Sequence, residues 1–77
     1  MEDWDKHINI DAGILGGKPV IAGTRVPIQV ILAALAGGMT IEEVCREWLI
    51  TEEDVRAALA YAAETVAEEV VHAIPSR

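Results

Sequence analysis

The chain has 77 residues, of which 52% are hydrophobic, and it contains one cysteine. This length leaves room for one small core, and a lone cysteine cannot form an intrachain disulfide, so packing has to stabilise the fold. We therefore expect a single domain over residues 1–77, with a β-element at 8–26 and a helical part at 27–74. Because a core of this size is marginal, we also expect a second copy to bury further apolar surface.

The net charge of −7 is concentrated in the second part of the chain. Residues 1–29 carry four acidic and three basic side chains, whereas residues 30–77 carry nine acidic and three basic ones. An acidic helical part repels phosphate and suits a basic protein partner, so contact with nucleic acid would require a local basic patch. The charged N-terminus lacks the apolar segment of a signal peptide, and the longest apolar run, residues 30–36, is too short for a membrane span. We expect a cytoplasmic protein.

The first part of the chain predicts two short strands. Residues 7–11, HINID, alternate polar and apolar side chains, and residues 20–26, VIAGTRV, are rich in β-branched side chains. A two-stranded hairpin is marginally stable alone and its edges attract another chain, so we expect these strands to pair between two copies around a two-fold axis. The side chains expected at this homodimer interface are Ile8, Ile10, Val20, Ile21 and Val26.

Three helices are predicted after the strands. Pro27 suits the start of the first helix, which Gly37-Gly38 ends. The spacing Thr40-x-x-Glu43 is a capping box, and Thr51-x-x-Asp54 is a weaker one, so a second and a third helix begin at these threonines. The fold class is therefore mainly α, with a short N-terminal β-hairpin followed by a three-helix, helix-turn-helix-like bundle in the order β-β-α-α-α.

Apolar stripes predict which helix faces are buried. The stripe of the second helix consists of Ile41, Val44, Cys45 and Trp48. The stripe of the third helix consists of Val55, Ala58, Leu59, Ala62, Val66 and Val70. Tyr61, with Ala57 and Ala60, forms a second apolar flank on the third helix, where another helix could approach closely.

The two capped helices and the short turn between them have helix-turn-helix proportions. In that geometry the first turn of the third helix would face DNA bases, with Thr51 and Arg56 as candidate contacts. The same turn carries Glu52, Glu53 and Asp54, whereas base contacts come mostly from Arg, Lys, Asn and Gln. The helix dipole is a sufficient reason for acids at this position. DNA contact and a purely structural role both remain open.

The chain has few other residues of the types that bind ligands or catalyse reactions. The glycine-rich stretch 16–28 is not a phosphate loop, because Lys18 is followed by proline where a P-loop requires serine or threonine. Lys18 and Arg25 are the two charged side chains of that stretch and are candidate contacts to DNA phosphates. His7 and His72 are distant in sequence, and Cys45 lies on an apolar stripe, so we expect no catalytic residue, metal or cofactor.

Three segments resemble the prokaryotic domain-of-unknown-function 433 family: GGKPVIAGTRVPI at 16–28, LAGGMTIEE at 35–43 and LITEEDVRAALAYA at 49–62. The resemblance implies a helix-turn-helix-like domain whose β-element pairs between subunits, and an antitoxin-like role. Members look like VapB-type antitoxins and are often encoded beside a small PIN-like nuclease toxin. The motif positions in this chain are Gly17, Lys18, Pro19, Gly23, Thr24 and Arg25, none of them catalytic in the family.

These observations together predict a non-catalytic antitoxin or transcriptional regulator. It would dimerise through its strands, bind a PIN-like toxin with its acidic helices, and contact promoter DNA. The candidate DNA-binding residues are Lys18, Thr24, Arg25, Thr51 and Arg56. The alternative is a dimerisation or adaptor module that does not bind DNA. No membrane contact is expected in either case.

Overall fold

The computed structural model describes residues 4–70, with side chains up to residue 68. Its elements in chain order are a 3-10 helix at Trp4–Lys6, strand β1 at Ile8–Asn9, a 3-10 helix at Leu15–Gly17, strand β2 at Val20–Ile21, and helices α1 at Ile28–Ala36, α2 at Ile41–Trp48 and α3 at Glu52–Val70. This order confirms the predicted fold class. The predicted end of the helical part at residue 74 lies outside the described residues, as does His72.

Strand β2 is paired on both of its sides. On one side it forms an antiparallel ladder with β1, in which Ile8 lies opposite Ile21. On the other side the chain returns, so that the Ile21 amide donates to the Val26 carbonyl at 2.9 Å and Val20 bridges Pro27. A second copy could therefore extend this part of the sheet only at an outer edge, either that of β1, which is two residues long, or that of the returning segment at 26–27.

The predicted extension of the second strand to Val26 is wrong, because residues 22–24 form a turn. Gly23 has a φ of 80°, in the left-handed region that favours glycine. The Thr24 hydroxyl donates to the Ile21 carbonyl at 2.7 Å and accepts from the Val26 amide at 2.9 Å. The conspicuous Gly-Thr-Arg segment thus closes a turn that brings the chain back beside β2.

Both predicted capping boxes are present. The Thr40 hydroxyl accepts from the Glu43 amide at 3.0 Å, and the Glu43 carboxylate accepts from the Thr40 amide at 2.9 Å. The same reciprocal pair joins Thr51 and Asp54, with both distances at 3.0 Å. Each box satisfies amides that the first helical turn leaves without a partner, so α2 and α3 begin where the sequence predicts.

The core combines the hairpin with all three helices. It consists of β-branched and small side chains, namely Ile8, Val20, Ile21, Ile28, Ile31, Val44, Ile50, Val55, Ala57 and Ala58. Half-buried side chains around it include Leu32, Leu35, Cys45 and Trp48. The hairpin is therefore part of the core of one chain.

The buried face of α3 differs in part from the predicted stripe. Val55 and Ala58 are buried as predicted, but Leu59 and Val66 are 42% and 56% exposed. The side chain of Val70 lies outside the described residues. Leu59 directly follows the buried Ala58, so the buried face of α3 is narrower than the predicted stripe. Leu59 and Val66 belong to an exposed apolar ridge along α3.

The alanine-rich flank of α3 is occupied within the chain. The ring of Trp4, in the first 3-10 helix, meets the ring of Tyr61 edge to face, with centroids 5.1 Å apart and planes at 81°. Ala57, one turn earlier on the same flank, is buried. This edge-to-face contact is a favourable arrangement for two aromatic rings, and it holds the N-terminal segment against α3.

The turn between α2 and α3 contains a leucine in the left-handed conformation. Leu49 has φ 57° and ψ 47°, and its side chain is 87% exposed. Glycine is the usual residue at this position after a helix, because a Cβ in the left-handed region is sterically unfavourable.

We predict that Leu49→Gly is more stable than Leu49→Ala by about 1 kcal/mol, because only alanine keeps the Cβ that the left-handed backbone disfavours. Both substitutions remove the exposed side chain, so they differ little in lost packing. Urea denaturation followed by circular dichroism at equal protein concentration measures the difference. Equal free energies of unfolding would contradict a left-handed backbone at this position.

Candidate functional site

The first turns of α2 and α3 lie beside each other and carry most of the exposed acidic groups of the helical part. A shallow depression lined by Thr40, Ile41, Glu42, Cys45 and Glu52 joins the two helix starts. We call the exposed glutamates of this region the acidic surface; they are Glu42, Glu43, Glu47, Glu52 and Glu53.

Both arginines of these helices are paired with glutamates four residues earlier. An Arg56 guanidinium nitrogen lies 2.8 Å from a Glu52 oxygen, and the corresponding distance from Arg46 to Glu42 is 3.9 Å. Exposed pairs of this kind add little stability, but they neutralise both cations locally. The hydroxyl of Thr51 is engaged in its capping box. Two of the predicted DNA contacts, Thr51 and Arg56, are thus already engaged within α3.

His7 joins the N-terminal segment to the second capping box. Its Nδ1 lies 2.9 Å from Asp54 Oδ1, while Asp54 Oδ2 accepts from the Thr51 amide at 3.0 Å. Burial opposes ionisation of this carboxyl, but the hydrogen bonds from Thr51 and His7 outweigh it and hold the pKa of Asp54 below its ordinary value. No sequence pattern indicates this contact, because 47 positions separate the two residues.

The thiol of Cys45 faces the same carboxylates. Burial, and then the negative charges of Glu52, Asp54 and Glu42, raise its pKa. A thiol with a raised pKa is mostly protonated at neutral pH, and the protonated form is a poor nucleophile and metal ligand. Cys45 therefore serves here as a small apolar side chain against the core.

Two kinds of feature are absent from the described part of the chain. Within that part, no three His, Cys, Asp or Glu side chains are grouped so that they could hold a metal ion. None of its helices combines the length and the apolar character that crossing a bilayer requires.

The other predicted DNA contacts lie on the loops that flank β2. Lys18 and Arg25 are exposed, whereas the Thr24 hydroxyl is used in the turn described above. Lys18 borders a groove between α1 and α3, while Thr51 and Arg56 line a depression at the start of α3. These candidates therefore do not all converge on one site.

The residues expected at a strand-mediated dimer interface are mostly inaccessible. Ile8, Val20 and Ile21 are buried in the core of their own chain, and Val26 is half-buried. Ile10 is 55% exposed. Pairing of strands between two copies stays a prediction, and it would rest on Ile10 and on one of the two outer edges of the sheet.

A second surface feature is a largely apolar groove between the start of α1 and the second half of α3, which we call the α1–α3 groove. Its volume is about 340 Å³. Its apolar walls are Pro27, Ile28 and Leu32 on one side and Tyr61, Ala62 and Val66 on the other. Among residues 4–68, Lys18 is the one charged residue of the lining. Sequence patterns do not indicate this groove, since it forms only when α1 packs beside α3.

Comparison with known proteins identifies the family. The sequence profile described as "Protein of unknown function (DUF433)" matches residues 8–62, which is more than half of the chain. The chain belongs to the DUF433 family. The resemblance noted in the sequence is thus confirmed.

Two relatives illustrate this membership. A crystal structure of a DUF433 protein from Anabaena variabilis ATCC 29413 matches with a TM-score of 0.70 at 28% identity, over 86% of this chain and 69% of that one. The uncharacterized protein y4eO of Sinorhizobium fredii (strain NBRC 101917 / NGR234) is 42% identical over 50 residues, which are 64% of this chain and 23% of that protein. The match thus spans less than a quarter of the length of y4eO.

The lowered pKa of Asp54 predicts the pH dependence of stability. Because the pKa is lower in the folded than in the unfolded chain, the stabilisation is complete above the unfolded value of about 3.9 and is lost as pH falls through the folded value. The stability difference between the wild type and Asp54→Asn should be present at about pH 5 and shrink below about pH 4. Urea denaturation at a series of pH values measures it.

Glu53→Gln is the matched control, since Glu53 is an exposed carboxylate in the same helical turn. Its stability difference from the wild type should depend less on pH than that of Asp54→Asn. A difference for Asp54→Asn that stays constant down to about pH 3 would contradict the proposed role of the carboxylate.

Proposed function

We propose that this DUF433 protein is a non-catalytic, antitoxin-like binding protein whose acidic surface holds a basic protein partner of the PIN-like nuclease class. The observation that carries the proposal is the charge of the paired helix starts. Four exposed glutamates lie in these two first turns and Glu47 lies at the end of α2, while both nearby arginines are already paired with two of the five. The surface therefore presents net negative charge.

Charge complementarity favours a nuclease as the partner. A nuclease that binds RNA needs a basic groove, because contacts with phosphate dominate the affinity for nucleic acids. A chain of net charge −7 is attracted to such a groove and can compete with RNA for it. Opposite charge also accelerates association, which suits an inhibitor that has to find its target before RNA does.

Promoter DNA is the second candidate, and Lys18 and Arg25 are the observation that favours it. Both are exposed on the loops that flank β2. The first turn of α3 argues against base recognition, because it presents carboxylates toward solvent and its arginine is paired with Glu52. DNA binding would therefore rest on phosphate contacts by these loops. If neither Lys18 nor Arg25 contacts DNA, the alternative function is that of an adaptor module that does not bind DNA.

Expression of the tagged chain together with its neighbouring genes tests the first proposal. We expect a small nuclease-like protein to co-purify in stoichiometric amount. The double variant Glu47→Gln/Glu53→Gln should then associate with it about threefold more slowly or worse, with a weaker dependence on salt, because surface charges act mainly on the association rate.

The matched control is Asp5→Asn/Asp11→Asn, which removes the same charge from the N-terminal segment. Asparagine at position 11 can keep the hydrogen bond that Asp11 accepts from the Gly13 amide. Equal slowing by both double variants would show that net charge matters and not the acidic surface. Absence of any co-purifying nuclease would refute the nuclease proposal.

Titration of promoter DNA against salt tests the second candidate. If Lys18 and Arg25 each neutralise one phosphate, the double variant Lys18→Gln/Arg25→Gln should reduce the slope of log affinity against log salt by about 2. An unchanged slope would exclude these two residues as phosphate contacts, and absence of binding by the wild type would leave the adaptor function.

A further inference from the structure

We propose that the α1–α3 groove is the docking site of a second copy of this chain, with the second half of its α3 lying antiparallel to the first. This proposal is independent of the nuclease-binding proposal, since it concerns a different surface. The dimer interface would then consist of helices and not of the hairpin strands.

The chemistry of the groove indicates what kind of segment it can hold. Its walls are mostly aliphatic and aromatic, and among the described residues Lys18 supplies the single charge of the lining. A basic segment would be repelled by that lysine. The occupant that fits is an apolar helix face on a segment that carries net negative charge.

The chain itself displays such a segment on α3. Leu59, Ala62, Ala63 and Val66 are spaced i, i+3, i+4 and i+7, so they share one face of α3, which is the exposed apolar ridge. Leu59 and Val66 are large side chains left exposed on it. The two alanines between them are small and permit another helix to approach closely. The described residues of α3 after Arg56 include Glu64 and Glu68 and no basic residue.

The ridge and the groove are complementary to each other. Val66 and Ala62 belong both to the ridge and to the wall of the groove, so the ridge and the groove lie side by side. A two-fold axis requires the same patch on both copies to fit itself, and a ridge beside a groove satisfies this requirement. Antiparallel docking of α3 would place the ridge of each copy in the groove of the other. The two α1 and two α3 helices would then form a four-helix arrangement.

The strands of the hairpin offer little to a second copy. Both sides of β2 are occupied, and three of the five hairpin side chains expected at a dimer interface are buried. The ridge and groove, in contrast, present contiguous apolar surface that gains free energy when it is covered.

Sedimentation velocity on the full chain tests the proposal. We expect the wild type to be a dimer, and Val66→Asp to weaken dimerisation at least about tenfold, because docking would bury an unpaired carboxylate. Leu49→Asp is the matched control, since it adds the same charge at an exposed leucine away from the groove, and it should stay dimeric. Far-UV circular dichroism verifies that each variant is folded.

A second pair of variants reports on the same interface without touching apolar packing. Lys18→Glu should weaken dimerisation about threefold or more, because it reverses the charge at the groove. Arg25→Glu makes the same change in net charge outside the groove lining and should weaken it less. Added salt should strengthen this dimer of two acidic chains, whereas it should weaken a complex with a basic nuclease.

Three outcomes would overturn the proposal. A monomeric wild type would leave the groove to a partner other than a second copy. A dimer that withstands both Val66→Asp and Lys18→Glu would place the interface elsewhere, for instance at the outer edge of β1. Equal weakening by Lys18→Glu and Arg25→Glu would show repulsion by net charge alone. Failure here leaves nuclease binding untouched, because Val66→Asp does not alter the acidic surface.

Discussion

The carboxylate of Asp54 is the contact on which the arrangement of this small fold depends. One of its oxygens caps α3 through the Thr51 amide, and the other accepts from His7, just before β1. This carboxylate therefore sets the first turn of α3 against the start of the hairpin. Beyond His7, Trp4 reaches the ring of Tyr61 on the same helix. The N-terminal segment of the same chain thereby covers one flank of α3. The flank that faces α1 borders the α1–α3 groove.

The consequence is a separation of two surfaces with different chemistry. Helix α2 and the first turn of α3 present five glutamates to solvent and only two arginines, each paired with one of these glutamates, so the charge there stays net negative. The α1–α3 groove presents apolar walls with a single lysine. A basic partner and a second acidic copy would thus bind at different places, and salt would affect the two complexes in opposite directions. Binding of one partner need not displace the other.

Sequence patterns predict the features of this chain that depend on neighbours within one helical turn. Both capping boxes are of this kind, because a threonine and an acidic residue three positions apart contact each other in any helix they begin. The helix starts and the order of elements follow from them. The family is also evident in the sequence, because the segment around Lys18 and Arg25 is distinctive.

Features that depend on tertiary contacts are not predictable in this way. The β-branched Thr24 and Val26 are typical of a strand, but this segment forms a turn. The Thr24 hydroxyl stabilises the turn, because it donates to the Ile21 carbonyl and accepts from the Val26 amide. An apolar stripe shows which face of a helix avoids water, but not how much of that face the neighbouring elements cover, so the stripe does not predict the exposure of Leu59 and Val66. The same limit applies to the candidate DNA contacts. A sequence cannot show that the Arg56 side chain is paired or that the Thr51 hydroxyl is used in a cap.

Hydrogen–deuterium exchange of the chain alone and with its co-purified nuclease tests the central claim most directly, because it locates the contact without any substitution. We predict that the partner slows exchange at the first turns of α2 and α3, over residues 41–56, where the acidic surface lies. Protection confined to the α1–α3 groove or the hairpin, with unchanged exchange over residues 41–56, would contradict the claim.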